Sequence, residues 1–374
     1  MKITDIIKRW YNEYVTVTFL TEQEYRELIE LLDIITTNSN IVTKWSREEV
    51  QEILPCIIPS GAIVCRLREF RGRELKGEQG TTVWLNARMM YITASVSAAC
   101  AGLMGNSSRE NQILEKATWG KYRPFKGGYY TEKGNMFEDV TNNYYSYVNK
   151  GKIWAFNLIP HNDPKYEFMG ASTDGVSNRL VNIEIKTLVG RSTDDTKFKK
   201  EYYHQMQHQM ECLQLDETDF IEVKYDEHEN LETALTVCKD HISKMGIVLE
   251  MWDTKTEKML YDYAPAGLNI EQLKQWEDRK TTNIGRSTTV LYVRSLYWTM
   301  TEYLCRRVQK DPSWIKDMGP KLRQFWDEVL ELRSNPAELK RRIAAKNAAT
   351  NERKRNRNTK NKKYEPAELE KCMI

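Results

Sequence analysis

Cysteine is scarce and unpaired in this chain. Its seven cysteines stand at 56, 65, 100, 212, 238, 305 and 372, and nowhere do two form a Cys-x-x-Cys pair. That spacing argues against a zinc ribbon and against a cysteine-held iron–sulfur cluster. It leads us to expect reduced thiols and an intracellular protein. Long apolar runs are missing as well, so no membrane span and no membrane partner are expected. Met1-Lys-Ile-Thr-Asp5 offers neither an apolar core nor a small-residue cleavage site, and no secretory leader is expected there. Neither sign of charge dominates, since 56 Lys and Arg stand against 53 Asp and Glu, a formal +3. His204 and His208 have the four-residue spacing of two zinc ligands, but Gln205 stands where a zinc peptidase needs its glutamate. We read neither histidine as a zinc ligand.

What is present is a globular composition. At 374 residues, 40% hydrophobic and 29% charged, the chain can bury a large core in one large or two small domains.

The most informative stretch is Gly170-Ala-Ser-Thr-Asp-Gly175, followed ten residues after Asp174 by Glu184-Ile-Lys186. Val181, Ile183 and Ile185 alternate with Asn182, Glu184 and Lys186, the period of a β-strand. Glu184 and Lys186 therefore share one face while the isoleucines enter a core. Asp174-Gly175 is a tight-turn signal, and folding that turn back brings Asp174 beside Glu184. Two carboxylates and a lysine so placed offer hard oxygen ligands to a divalent ion, with a cation for phosphoryl charge. By itself the pattern also fits a half-buried strand with a surface ion pair.

The flanking segments add candidates. Gly134-Asn-Met-Phe-Glu-Asp139 opens an expected helix through Val140, Tyr144 and Tyr147, carrying Glu138 as a third carboxylate. A first-turn glutamate favoured by the helix dipole is the plainer account of that residue. Tyr202 to Leu215 reads as a helix with Tyr203, Met206, Met210 and Leu213 as its apolar stripe, leaving Gln205, Gln207 and Gln209 off the stripe. Phe220 to Tyr225 reads as the next strand. Upstream, Thr93 or Ser95 can cap a helix through Ala98, Ala99, Cys100 and Leu103, and Arg88 precedes it. A helix N-terminus beside an arginine suits a phosphate, and it also suits an ordinary capped helix.

Four blocks, in this order and spacing, resemble the lambda-type exonucleases, the YqaJ viral recombinase family of the PD-(D/E)xK nucleases. They are Trp84-Leu-Asn-Ala-Arg88 with Ile92-Thr-Ala-Ser95; Gly134-Asn-Met-Phe-Glu138; Gly170 to Gly175 with Glu184-Ile-Lys186; and Gln205-Met-Gln207. The likeness spans roughly residues 80 to 225, and a weaker one to nucleases of large eukaryotic DNA viruses continues through Tyr297-Trp298 and Phe325 to Arg333. It implies an α/β fold, a mixed central sheet flanked by helices. It implies a 5′-3′ exonuclease on linear double-stranded DNA, leaving 3′ single strands for recombination or repair. Mg2+ is the implied cofactor, as two ions, with Mn2+ able to substitute. Asp174, Glu184, Glu138 and the Ile185 carbonyl match the metal site, Lys186 the catalytic lysine, and Gln205 the supporting glutamine, with Gln207 second of the pair. Arg88, Ser95 and Ser172 match a pocket for the 5′ phosphate. Implied partners are DNA ends, a single-strand annealing protein and further copies in a trimeric ring; for a viral protein the place is host cytoplasm or nucleus. Thr173 stands where the family has proline, which loses no ligand but leaves open how rigidly Asp174 is held.

Three segments are expected: a helical N-terminal extension over 1–75 with a stripe at Thr21 to Ile35, a nuclease domain over 76–335, and a basic, flexible tail over 336–374. From Lys340 to Lys363 there are eleven Lys or Arg against one Glu. Such a tail suits non-specific DNA contact or a nuclear-localisation signal around Arg353-Lys-Arg355. Two other functions stay open: an endonuclease or RNA-degrading shutoff factor using the same metal site, and a non-catalytic DNA-binding scaffold.

Overall fold

The computed structural model describes residues 61–77, 81–124, 128–194, 196–238 and 242–362. The stripe at Thr21 to Ile35 and most of the expected N-terminal extension lie outside the described residues.

In chain order the elements begin with α1 (Gly61–Arg73), α2 (Thr82–Met89), β1 (Ile92–Thr93), a 3-10 turn (Ala94–Val96), α3 (Ser97–Cys100), α4 (Asn106–Ala117) and α5 (Tyr129–Val148). Next come β2 (Ile153–Trp154), β3 (Ile159–Pro160), β4 (Met169–Ala171), β5 (Gly175–Ser177), β6 (Asn182–Thr187), α6 (Lys200–Leu213) and β7 (Glu217–His228). The remainder is α7 (Leu231–Val237), β8 (Met245–Asp253), β9 (Lys258–Tyr263), α8 (Ile270–Gly285), β10 (Val290–Gln309), α9 (Trp314–Ser334) and α10 (Pro336–Lys362).

Seven strands form one sheet in the order β2-β5-β6-β7-β10-β8-β9, and β1-β4-β3 form a small second sheet. β5 and β6 pair antiparallel, as a tight turn demands, whereas β6 and β7 pair parallel, Glu184 opposite Phe220. A parallel pair needs a crossover, and α6 supplies it. This is the mixed α/β core, sheet flanked by helices, that the resemblance implied.

The strand alternation decides which helix meets which side chain. Ile183 and Ile185 are buried with Ile221 and Val223 against Met136, Phe137 and Val140 of α5. On the opposite face Met206 and Met210 of α6 pack with Phe220 and Val308. Glu184 therefore points toward α6. Phe137 stacks on Tyr225 at 4.3 Å, and the Thr141 and Tyr225 hydroxyls lie 2.8 Å apart, which fixes α5 on its face of the sheet.

Two expected boundaries move. Leu67 and Phe70 of α1 are fully buried against Trp154, Ile159, Val176 and Leu213, so the core begins before residue 76. Their burial supplies the reason: the outer strands would otherwise expose an apolar face. At the other end, residues 336–362 are helical, where a flexible tail was expected beyond its start.

Candidate active site

Asp174 sits in the turn between β4 and β5, and its Oδ2 accepts a hydrogen bond from the Ile185 amide at 2.6 Å. The bond ties Asp174 to the neighbouring strand, so Asp174 stands beside Glu184 as expected. The hairpin reversal, however, is not at Asp174-Gly175: Gly175 already pairs with Ile183 at the start of β5, and the chain reverses at Asn178 to Leu180. Thr173 helps hold it there. Its hydroxyl lies 2.5 Å from Asn182 Oδ1 and 2.7 Å from the Gly175 carbonyl, and the Gly175 amide donates to it at 3.1 Å. Where proline would fix this turn through its ring, threonine fixes it through a hydroxyl. Gly175 permits the close packing: a Cβ there would meet Ile153 Cγ2 at 2.3 Å.

Glu184 is only 1% exposed, and a buried carboxylate must be met by donors. Lys186 pairs with its Oε1, and Gln205 Nε2 donates to the same oxygen at 2.7 Å. Gln209 Nε2 donates to the other oxygen at 2.6 Å and to the Ser172 carbonyl at 2.9 Å, while its own Oε1 accepts from Asn182 at 3.1 Å. Gln207 is elsewhere. It donates to the Gln309 carbonyl at 2.9 Å and accepts from the Asp311 amide at 2.8 Å. The pair of glutamines over Glu184 is thus Gln205 and Gln209, not Gln205 and Gln207. The helical period is the cause: residues four apart share a face and residues two apart do not. That spacing was the available signal for Gln209.

Glu138 approaches from α5. One turn further on, Asn142 donates to the Asp174 carbonyl at 2.9 Å, which places this face of α5 against the turn. Burial, then the charges of Asp174, Asp139 and Glu184, push the Glu138 carboxyl well above its ordinary value. Burial and Glu184 likewise raise Asp174 to about 7, against the opposing pull of Lys186 and the Ile185 amide. Burial pulls Lys186 down, but Glu184 and Asp174 outweigh it and hold the ammonium above its usual range. Its Nζ also lies 5.2 Å from the Tyr202 ring centroid, a cation–π contact.

The site therefore concentrates more carboxylates than its lysine neutralises, and hard oxygens with surplus negative charge suit a divalent cation. Among the described residues no three His, Cys, Asp or Glu side chains already converge as a ligand cage. Asp174 and Glu184 would hold such an ion, with water filling other positions as Mg2+ prefers, and Glu138 contributes charge. In this arrangement the Ile185 amide, not its carbonyl, is the group bonded to Asp174.

The three phosphate-pocket candidates fall in adjoining elements. β1 and β4 run parallel with Thr93 opposite Gly170, so Ser95 and Ser172, each two residues on, leave the small sheet at the same end. Ser95 is exposed on the 3-10 turn, and Thr93, its N-cap, makes no side-chain capping bond. Among the described residues the buried Ser172 hydroxyl has no hydrogen-bond partner, and a ligand oxygen would satisfy it. Arg88, near the end of α2, lies half-buried with its guanidinium 4.4 Å from the Trp84 ring centroid. Burial lowers Arg88 from its usual value. Beneath it Lys116, 3% exposed, donates to the Arg88 carbonyl at 2.6 Å. Burial pulls Lys116 down to about 8, with Arg88 and Arg333 adding to the effect. No sequence pattern pointed to Lys116.

The two histidines are structural. His204 Nδ1 accepts from the Trp314 indole at 2.9 Å, and His208 is fully buried, its ring 5.9 Å from that of Trp314.

Comparison with known proteins gives three kinds of likeness. Residues 83–219 match the YqaJ-like viral recombinase domain. An uncharacterised protein of Acanthamoeba polyphaga mimivirus is 24% identical over 308 residues, 71% of this chain and 55% of that protein. The chain thus spans about half the length of this relative. Among solved structures, the alkaline exonuclease LHK-Exo of Laribacter hongkongensis is 20% identical at a TM-score of 0.41, covering 71% of this chain and 99% of that one. A phage-related exonuclease of Haemophilus somnus 129PT is 16% identical at a TM-score of 0.38, covering 68% and 99%. Likeness of that depth leaves function to be argued from the site. Every residue of the carboxylate centre described above falls inside 83–219, the stretch that is similar to the YqaJ-like viral recombinase domain.

Proposed function

We propose that the protein is a magnesium-dependent nuclease that degrades the 5′-ended strand of linear double-stranded DNA. The observation that supports this most is the convergence on Glu184 of Lys186, Gln205 and Gln209, beside Asp174 in its stapled turn. An exposed surface ion pair would need none of those donors.

Bound between Asp174 and Glu184, Mg2+ would supply an activated water and charge neutralisation at the scissile phosphate, and Mn2+ would serve in its place. Glu138, which keeps its proton in the ion-free chain, would add a carboxylate charge to the site once that proton is lost. Lys186, beside Glu184, would steady the charge on the phosphoryl oxygens as the bond to the leaving oxygen breaks. Gln205 and Gln209 hold the Glu184 carboxylate in one rotamer, so that its oxygens do not have to reorganise. Arg88, Ser95 and Ser172 receive the 5′ phosphate and so position the strand end. A trimeric ring and an annealing protein partner belong to the same reading.

The test is digestion of linear duplex DNA carrying 5′ phosphate or 5′ hydroxyl ends, with Mg2+, beside an Asp174→Ala control. Faster loss of the phosphorylated strand, abolished in the control, is the expected result. Cutting of closed circles or of RNA without loss from linear ends would replace this reading with an endonuclease or RNA-degrading one. No cleavage at all would leave a DNA-binding scaffold.

A further inference from the structure

The site leaves α10 without a role, and its two halves differ in what they can bury. The helix spans Pro336–Lys362, 27 residues, with ten Lys or Arg against two Glu. Its first half is docked. Leu339 packs against the core, and Arg342 pairs with both Glu110 of α4 and Glu328 of α9, Glu328 also holding Arg109. From Asn351 to Lys362 the sequence has no apolar residue, and six Lys or Arg accompany one Glu. Nothing in that half can be held by hydrophobic burial. Like charges four apart, as at positions 353 and 357, oppose the helix unless a polyanion neutralises them.

Position makes the partner specific. Arg333, in the last turn of α9, donates to the Met89 carbonyl at 2.7 Å and to the Lys116 carbonyl at 2.9 Å. Its guanidinium also stacks on Trp119 at 4.0 Å. The point from which α10 departs is therefore tied to the corner that carries Arg88, Lys116 and the phosphate-pocket candidates. At 1.5 Å per residue the distal twelve residues extend about 18 Å, several phosphate spacings along a strand.

We propose that the distal half of α10 is a duplex-DNA arm, laid along the phosphate backbone beside the strand end. This rests on the DNA-processing reading of the site, but the arm is testable apart from catalysis. Binding of a fluorescein-labelled, 5′-phosphorylated 30-base-pair duplex would be measured in EDTA across a salt series. The full chain would be compared with its R353Q/R355Q/R357Q variant and with a chain lacking residues 351–362. Each lost phosphate contact lowers the slope of log affinity against log salt by about 0.9. The triple variant should lose about 2 to 3 in slope and bind roughly 10-fold or more weakly at low salt. The shortened chain should lose more while keeping its melting temperature, since residues 351–362 include no apolar side chain to bury. Unchanged affinity and slope in both would overturn the proposal, as would a loss seen with an RNA hairpin of equal length but not with the duplex. Failure of the nuclease reading would show differently, as intact salt-dependent binding without cleavage in Mg2+.

Discussion

Replacing Gln209 by alanine tests the site more sharply than replacing the lysine, because Gln207 supplies an internal control on the same helix. Gln209 is fully buried and makes three hydrogen bonds, to Glu184 Oε2, to the Ser172 carbonyl and from Asn182. Its removal leaves one oxygen of a buried carboxylate without that donor, which costs about 1.5–3 kcal/mol, with a smaller cost at the carbonyl. A loss of stability of about 2–4 kcal/mol is expected. Loss of a residue that orients a metal-binding carboxylate also lowers activity or metal affinity by about 10- to 100-fold. Gln207→Ala removes two bonds to the β10–α9 connection and should cost about 1–3 kcal/mol while leaving activity per folded molecule nearly intact. Urea unfolding gives the stabilities, and single-turnover digestion of duplex DNA at several Mg2+ concentrations gives the rates. Equal activity losses in Gln207→Ala and Gln209→Ala would refute the assignment of the glutamine pair.

Lys186→Ala should abolish most cleavage while preserving DNA binding in EDTA; unchanged cleavage would falsify its catalytic role. Arg88→Ala should erase the preference for 5′-phosphorylated over 5′-hydroxyl ends, read as a ratio of initial rates, and a preserved ratio would remove Arg88 from the pocket. Asp174 and Glu138 are both raised in the folded, ion-free chain, so between their ordinary values near 3.8 and 4.5 and their raised ones the folded state holds more protons than the unfolded. Their contribution to stability is thus lost as pH rises through that window. The melting temperature without metal should fall from pH 5 to pH 8 more than in Asp174→Asn, and Mg2+ should raise it more at pH 8 than at pH 5; an equal Mg2+ effect at both would contradict this charge argument. Gly175→Ala, whose Cβ would collide with Ile153, should lower both stability and activity, measured by thermal melting and digestion, because the Asp174 turn must move.

The sequence by itself determined the centre of this protein. Period-two alternation over Val181 to Lys186 put Glu184 and Lys186 on one face, because that is a local rule that few residues suffice to express; the reversal expected at Asp174-Gly175 falls instead at Asn178 to Leu180. The bias of residues 340–363 toward Lys and Arg was equally plain. What only the tertiary structure decided were relations between segments distant in sequence. The helical period puts Gln205 and Gln209 on one face and Gln207 on another, but only the orientation of α6 against β6 decided which face meets Glu184. Thr173 read as a lost proline until Asn182, nine residues on, met its hydroxyl. α1 seemed to precede the domain until Leu67 and Phe70 were found against β2, β3 and β5. Lys116 carries no motif, and its place under Arg88 follows from how α4 packs beside α2. Local periodicity specifies faces; which faces meet depends on the burial of the whole core, and no short stretch of sequence encodes that.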